Sequence, residues 1–170
     1  MSRSVERGFK RVVQEYPATA GGGIAQGIFA SVFAHSLDPK RRLTIPSEWR
    51  DCVGQPNSVY VLRGLDEPYL TVYPAREMIL KLDKLRQQSI ADPRVRALAR
   101  TLGSQSQMAT LDTQGRIRVN DDLLAYARIE GDVKLVGALQ YFELWSPKLW
   151  IAAERRSDIN IADVAQHIGL

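Results

Sequence analysis

Two stretches of the chain, 74 residues apart, carry the same pattern. Residues 37–46 read LDPKRRLTIP and residues 111–120 read LDTQGRIRVN, so that Asp38 is matched by Asp112. In both stretches an arginine follows the aspartate by four residues, and apolar residues then alternate with others. A pattern that recurs at a fixed spacing indicates a duplicated structural unit. We therefore expect two copies of one small fold.

The similarity continues downstream of these stretches. At the same shift residues 59–61 fall on residues 133–135, and residues 73–74 fall on residues 145–146 at a shift two residues shorter. Each unit spans roughly 45–50 residues, about the size below which a core cannot sustain itself. We therefore predict an α+β fold in which the two units interleave their strands into one pseudo-twofold β-barrel with flanking helices.

Alternating apolar residues and turn signals predict four strands and one helix in each unit. In the first unit the predicted strands are residues 29–37, 43–45, 59–62 and 69–73, and the helix is residues 47–53. In the second unit they are residues 106–111, 116–119, 133–139 and 142–145, with a helix that ends at residue 127 and is capped by Asn120 or Asp121.

The regions outside the two units differ from them in pattern. Apolar residues recur every three or four positions between residues 75 and 102, which predicts helix, and Asp92-Pro93 is expected to divide it into two. The predicted organisation is a flexible basic extension (1–26), a first repeat (27–75), connecting helices (76–103), a second repeat (104–150) and a C-terminal helix or tail (151–170).

Residue usage argues against an enzyme or a metal protein. Cys52 is the single cysteine and is expected to be buried, and His35 and His167 are the only histidines, in unrelated contexts. No nucleophile elbow, P-loop, zinc motif or dinucleotide motif is present, so no cofactor, metal or catalytic residue is predicted. The side chains of Asp121 and Asp122 stand at a predicted helix start, where they complement the helix dipole.

The charge balance permits binding to a polyanion without requiring it. The chain has 23 Lys and Arg against 19 Asp and Glu, a formal net charge of +4, and a pI near 9.4. No apolar run is long enough to span a bilayer, so we expect a cytoplasmic protein.

The repeated strings resemble those of the MraZ family, within the wider AbrB-like (swapped-hairpin, SpoVT-AbrB) group of DNA-binding folds. The resemblance covers residues 27–152 and is carried by Asp38 to Arg42, Asp112 to Arg116, Ile45-Pro46, Val136-Gly137 and the string Phe142-Glu143-Leu144-Trp145. It implies two tandem AbrB-like units in a nucleoid-associated transcription regulator, expected to be a repressor. Such a protein would act as a ring-shaped homo-oligomer on repeated DNA boxes in the promoter of the division and cell-wall gene cluster.

The chain departs from the family pattern at two positions. Arg41 stands where the family usually has glycine, as at Gly115, and Asn120 stands where proline is usual. Because glycine tolerates positive φ, Arg41 is expected either to strain or to reshape its turn, while it adds a cation beside Lys40 and Arg42.

Within this resemblance we assign the DNA contacts to the two turns. Arg42 is expected to read a guanine because its planar guanidinium matches the O6 and N7 acceptors, and the predicted DNA-binding set is Lys40, Arg41, Arg42, Arg116 and Arg118. Lys40 and Arg41 are expected on phosphates, and Asp38 and Asp112 are expected to position the turns.

Two other interpretations stay open at this point. In the first, the aspartate–arginine pairs are ion pairs that stabilise the barrel and have no part in DNA binding. In the second, the chain would be an AbrB-like protein-interaction module or an antitoxin-type regulator, with residues 156–170 as its partner-binding tail. Trp145 and Trp150 are expected to pack in the core or between subunits.

Overall fold

The computed structural model describes residues 27–88, 91–156 and 161–169, and the predicted extension lies outside these ranges. The elements of the first half are β1 (Val32–Ser36), β2 (Arg42–Thr44), α1 (Ser47–Val53), β3 (Ser58–Arg63), β4 (Leu70–Pro74) and α2 (Ala75–Arg86). They are followed by α3 (Pro93–Ser104), β5 (Ser106–Thr110), β6 (Arg116–Arg118), α4 (Asp121–Tyr126), β7 (Asp132–Gly137), β8 (Phe142–Trp145), α5 (Pro147–Arg155) and α6 (Ile161–Ile168).

Six of the strands form one antiparallel sheet in the order β1-β7-β8-β4-β3-β5, and β2 pairs with β6 in a separate two-stranded ribbon. The predicted α+β class is confirmed. Three pairings join strands of the two halves: β1 pairs with β7, β4 with β8 and β3 with β5. The outer two have equivalent positions in the sheet, with registers such as Val32↔Val136 and Leu62↔Ser106.

The predicted closed barrel is not found among the described strands. β1 and β5 form the two edges of the six-stranded sheet, while β2 and β6 pair only with each other. β2 and β6 have three residues each and form one short ribbon. Because neither of them pairs with β1 or β5, the six-stranded sheet stays open at both edges. In these ranges no helix is long and apolar enough to cross a membrane.

The core lies between the inner face of the sheet, the ribbon and the helix α1. Its largest fully buried side chains include Phe29, Trp49 and Phe142, and the ribbon contributes Leu43 and Ile117, each 0% exposed. Residues of both halves belong to one continuous apolar cluster, so that neither half has a core of its own. The expected burial of the thiol of Cys52 is confirmed.

Of the two predicted helix starts, that of α3 is confirmed in its capping and that of α4 is not. The break before α3 is confirmed, since the Asp92 side chain accepts a hydrogen bond from the backbone of Arg94 and Pro93 opens the helix. The predicted capping by Asn120 is wrong for its side chain, which makes no capping bond within the described residues. Its backbone N–H instead donates to Oε1 of Gln107 at 2.8 Å, because β5 lies beside this end of β6.

The tryptophan prediction is confirmed for Trp145. The residue is 4% exposed, and its ring stacks on Tyr69 with the ring centroids 4.5 Å apart. Trp150 is half-buried and packs edge-on against Trp145 at 5.7 Å. These contacts hold α5 against the sheet.

Candidate nucleic-acid interface

The turn that leads into β2 is organised by one carboxylate. Oδ1 of Asp38 accepts hydrogen bonds from the backbone N–H groups of Lys40 and Arg42, at 2.8 and 2.9 Å. Oδ2 of Asp38 accepts from Nε of Arg42 at 2.6 Å. Because the same carboxylate holds the backbone of the turn and the guanidinium, the Arg42 side chain has a defined direction.

The turn that leads into β6 has the same geometry. Asp112 accepts from the backbone N–H groups of Gln114 and Arg116, both at 2.9 Å, and from Nε of Arg116 at 2.8 Å. Each aspartate thus pairs with an arginine of its own turn. The ion pairs therefore hold the arginines in place and do not join the two halves of the chain.

Position 41 repeats the backbone conformation of Gly115 in spite of its side chain. The φ of Arg41 is +59° and that of Gly115 is +73°, and both backbone N–H groups donate to the aspartate carbonyl at 2.9 Å. The turn is therefore not reshaped. A non-glycine residue in the left-handed region costs roughly 1–2 kcal/mol, so the expected strain is present.

The Arg41 side chain compensates part of that strain. Its Nε lies 3.2 Å from Oδ1 of Asp121, and its Nη1 donates to the carbonyl of Glu130 at 3.1 Å. The guanidinium is thus directed toward α4 and the loop after it. The carboxylate of Asp121 at the start of α4 holds it in this direction in the free chain, and the phosphate contact of Arg41 stays a prediction.

Gly115 tolerates substitution far less than position 41. A Cβ at Gly115 would lie 2.7 Å from Cδ of Arg50, whose Nε donates to the carbonyl of Ile45 at 3.0 Å. We expect Gly115→Ala to lower the free energy of unfolding by about 1–3 kcal/mol, through positive φ and the displaced Arg50. Arg41→Gly should change it by less than about 1 kcal/mol, since relief of strain offsets the added freedom of the unfolded chain.

Urea denaturation of the two variants beside the wild type measures this difference. Gly115→Ala is the test and Arg41→Gly is its matched control at the equivalent position. Equal losses in both variants would contradict the combined cost of positive φ and of the displaced Arg50 at Gly115.

Three arginines share the outer face of the ribbon. Leu43 and Ile117 are cross-strand partners in the core, so Arg42, Arg116 and Arg118 point the other way, because side chains alternate along a strand. Arg42 lies directly opposite Arg118. Like charges in cross-strand positions are unfavourable, so this face is suited to an anionic partner.

The two turns lie at opposite ends of this ribbon. Arg42 follows the first turn and Arg116 follows the second, and in the antiparallel register they are offset by two residues, about 7 Å along a strand. Each turn accepts a backbone hydrogen bond from the other half of the chain. The N–H of Ile45 donates to the carbonyl of Gly115 at 2.9 Å, and the N–H of Val119 donates to the carbonyl of Arg41 at 3.0 Å. These bonds fix the distance between the two turns.

The electrostatics of the turns favour ionised aspartates. Burial raises the pKa of Asp38, but hydrogen bonds from Arg42 and Lys40 outweigh it, and the pKa lies below its usual value. The backbone N–H of Arg116, with its side chain and Gln114, likewise lowers the pKa of Asp112 against the effect of burial. Both carboxylates are therefore charged at neutral pH.

We expect Arg42→Ala to raise the pKa of Asp38, because it removes the guanidinium bond, and to leave Asp112 unchanged. Carbon-13 NMR titration of the aspartate carboxyls measures both values. Because these pKa values are lower in the folded chain, the turns contribute full stability above the unfolded pKa, about 4, and lose it as pH falls through the folded pKa. An unshifted Asp38 in the variant would contradict the ion pair.

Sequence reasoning missed two residues that support the turns. Arg50 covers Gly115, and the amide of Gln107 donates to the Arg118 carbonyl at 2.8 Å while its oxygen accepts from the backbone of Asn120. A glutamine in the alternating pattern of β5 was the only sequence signal. Nothing in the sequence pointed to Arg50.

The chain is similar to known proteins over most of its length. Residues 104–168 match the family model described as "MraZ protein, putative antitoxin-like", which continues past residue 152, where the resemblance was expected to end. A transcriptional regulator MraZ of Finegoldia magna is 31% identical over 138 residues, 81% of this chain and 94% of the relative. The MraZ regulator of Thermomicrobium roseum is 36% identical over 126 residues, 74% and 86% of the two chains.

Proposed function

This chain belongs to the MraZ family, and from that premise we propose that it regulates transcription by binding duplex DNA through the β2–β6 ribbon. The relatives carry the name of transcriptional regulators, and that name supports the regulatory role. The observation that carries the proposal is the outer face of the ribbon, where Arg42, Arg116 and Arg118 lie together without an opposing carboxylate across the strands.

The dimensions of the ribbon suit the major groove of DNA. The groove is about 12 Å wide and admits a two-stranded β-ribbon. The offset of Arg42 and Arg116, about 7 Å along the ribbon, corresponds to about two base-pair steps. The two arginines therefore contact base pairs about two steps apart when the ribbon lies in the groove.

In this arrangement each aspartate prepares an arginine for base contact. Asp38 occupies the Nε of Arg42, and none of the described residues bonds its Nη atoms. The two Nη groups then donate to the O6 and N7 of a guanine. Arg116 does the same in the second turn, while the exposed Lys40 and Arg118 contact phosphates. Arg41 braces the first turn through Asp121.

At the level of the assembly, the proposal follows the family resemblance. The two halves act as tandem AbrB-like units, and several copies form a ring that binds repeated boxes in the promoter of the division and cell-wall gene cluster, as a cytoplasmic, nucleoid-associated repressor. A single ribbon offers few contacts, so simultaneous binding by several copies raises the overall affinity.

A second candidate is an antitoxin-type interaction module. The description of the matching family model as antitoxin-like favours it, and α6 exposes apolar side chains that a protein partner would cover. A partner that co-purifies in fixed stoichiometry, together with absent DNA binding, would favour this function.

The experiment that tests the proposed function is binding to the DNA upstream of the chain's own gene across a salt series, beside a scrambled duplex. We expect selective binding that weakens steeply with salt, since bound phosphates release counterions. Arg42→Ala should weaken binding about 10-fold or more. Equal affinity for both duplexes at every salt concentration would contradict sequence-specific regulation.

A further inference from the structure

An open groove of about 740 Å³ lies between α2, α3 and the outer face of the sheet at β3 and β4, on other residues than the ribbon. Its apolar lining includes Leu65, Leu82, Leu85, Leu98 and Leu102. Leu65 is 81% exposed and Leu98 is 42% exposed. Large leucines left this open to solvent are typical of a surface that binds an apolar partner.

The rim of this groove carries more positive than negative charge. Arg63, Lys81 and Lys84 line it together with the single carboxylate of Asp66. The preferred occupant therefore combines an apolar face with negative charge.

The helix α6 has these properties. Ile161, Val164 and Ile168 are 66%, 48% and 64% exposed, and no residue of α6 is buried. Their spacing of three and four places them on one face of the helix. Residues 157–170 contain two aspartates and no lysine or arginine, so the charge of this segment complements that of the rim.

We propose that α6 of one copy docks its Ile161–Val164–Ile168 face into this groove of a second copy. The inference deepens the oligomer of the proposed function and rests on it. The structure of a single copy leaves both surfaces open, with α6 outside its own groove. Because the helix and the groove are different surfaces, the contact is head-to-tail and repeats from copy to copy until a ring closes.

The size of the contact explains why a ring is needed. An eight-residue helix is about 12 Å long, and one face of it buries less than the roughly 800 Å² per partner of a stable interface. One docked helix is therefore weak. Closure of the ring fills every groove at once and makes the contacts cooperative.

Solution mass by light scattering, without DNA, is the first test. We expect the wild type to be an oligomer and both Ile161→Asp/Val164→Asp and Leu65→Asp/Leu98→Asp to lose mass. All four side chains are exposed, so the variants should fold. Leu139→Asp, at a position 60% exposed and outside both surfaces, is the control and should keep the wild-type mass. A monomeric wild type, or variants of unchanged mass, would overturn the proposal.

Disulfide trapping in one double variant identifies which copy supplies the helix. Val164→Cys/Leu98→Cys should give a ladder of covalent multimers on a non-reducing gel, and Val164→Cys/Leu139→Cys should not. The native Cys52 is buried and 5% exposed, so it does not interfere. A disulfide within a single chain, without multimers, would show that α6 folds into its own groove and would overturn the proposal.

The two proposals fail separately. A monomeric wild type that keeps Arg42-dependent binding to a single DNA box would refute the docking alone. An oligomer that traps as expected but binds no DNA would refute the DNA-binding function alone. Arg42→Ala should leave the solution mass unchanged, because Arg42 lies outside the groove.

Discussion

Removal of both turn arginines, in the variant Arg42→Ala/Arg116→Ala, is expected to lower the affinity for operator DNA by about 30-fold or more. Each bidentate arginine–guanine contact is worth about 1–3 kcal/mol of discrimination, so two of them account for a loss of this size. The two side chains act in one ribbon and on base pairs about two steps apart. Their combined effect is therefore not expected to be the simple sum of two single variants.

The fold should survive this double substitution. Asp38 and Asp112 keep the backbone N–H bonds that shape their turns. Arg42 and Arg116 are half-buried, with 31% and 24% of the side chains exposed, so water reaches the carboxylates that lose their guanidinium partners. The repulsion between Arg42 and Arg118 across the ribbon also disappears.

Fluorescence anisotropy with a labelled operator measures the loss. The matched control is Arg86→Ala/Arg94→Ala, which removes the same charge from α2 and α3, where the side chains are 78% and 91% exposed. We expect the control to bind almost as the wild type does. A similar loss in both double variants would assign the effect to net charge and remove the two turns from the DNA interface.

The substitution with the largest expected effect on stability is Trp49→Ala, which should lower the free energy of unfolding by about 3–5 kcal/mol. Trp49 is 2% exposed and contacts the rings of Phe29, Phe33 and Phe142 at centroid distances of 5.5, 5.1 and 5.1 Å. It belongs to α1 in the first half, while Phe142 belongs to β8 in the second. Loss of the ring therefore leaves a cavity between the two halves.

Trp49 also supplies a hydrogen bond that an apolar replacement would lose. Its Nε1 donates to the carbonyl of Ala30 at 3.0 Å, which holds the segment before β1 on the core. Trp49→Phe keeps most of the volume and leaves this carbonyl without its donor. Trp49→Phe should therefore lower the free energy of unfolding by less than Trp49→Ala does, by about 1–3 kcal/mol.

Urea unfolding followed by circular dichroism measures these changes, and Trp150→Ala is the control for loss of an indole. Trp150 is half-buried on α5 and packs on Trp145 outside the main cluster. A smaller loss is expected there. If Trp150→Ala were as damaging as Trp49→Ala, the assignment of the core to the contact between α1 and β8 would be incorrect.

Local sequence patterns determined the elements themselves. The bounds predicted for the helix at residues 47–53 and for the strand at residues 142–145 are those of α1 and β8. The two turns were placed from Asp38-Pro39-Lys40 and Gln114-Gly115, because these residues favour turn conformations on their own. The spacing of aspartate and arginine likewise indicated the ion pairs, since four residues bring the two side chains together in a tight turn.

Contacts between distant segments were decided only by the tertiary structure. Three of these contacts join residues far apart in the chain: the pairing of β1 with β7, the bond from Arg41 to Asp121 and the contact of Arg50 with Gly115. The separation of the β2–β6 ribbon from the six-stranded sheet likewise depends on pairing between distant segments. Periodicity shows which face of a strand is buried, but it does not show which strand lies beside it. That choice depends on the register and the side-chain volumes that fill one shared core.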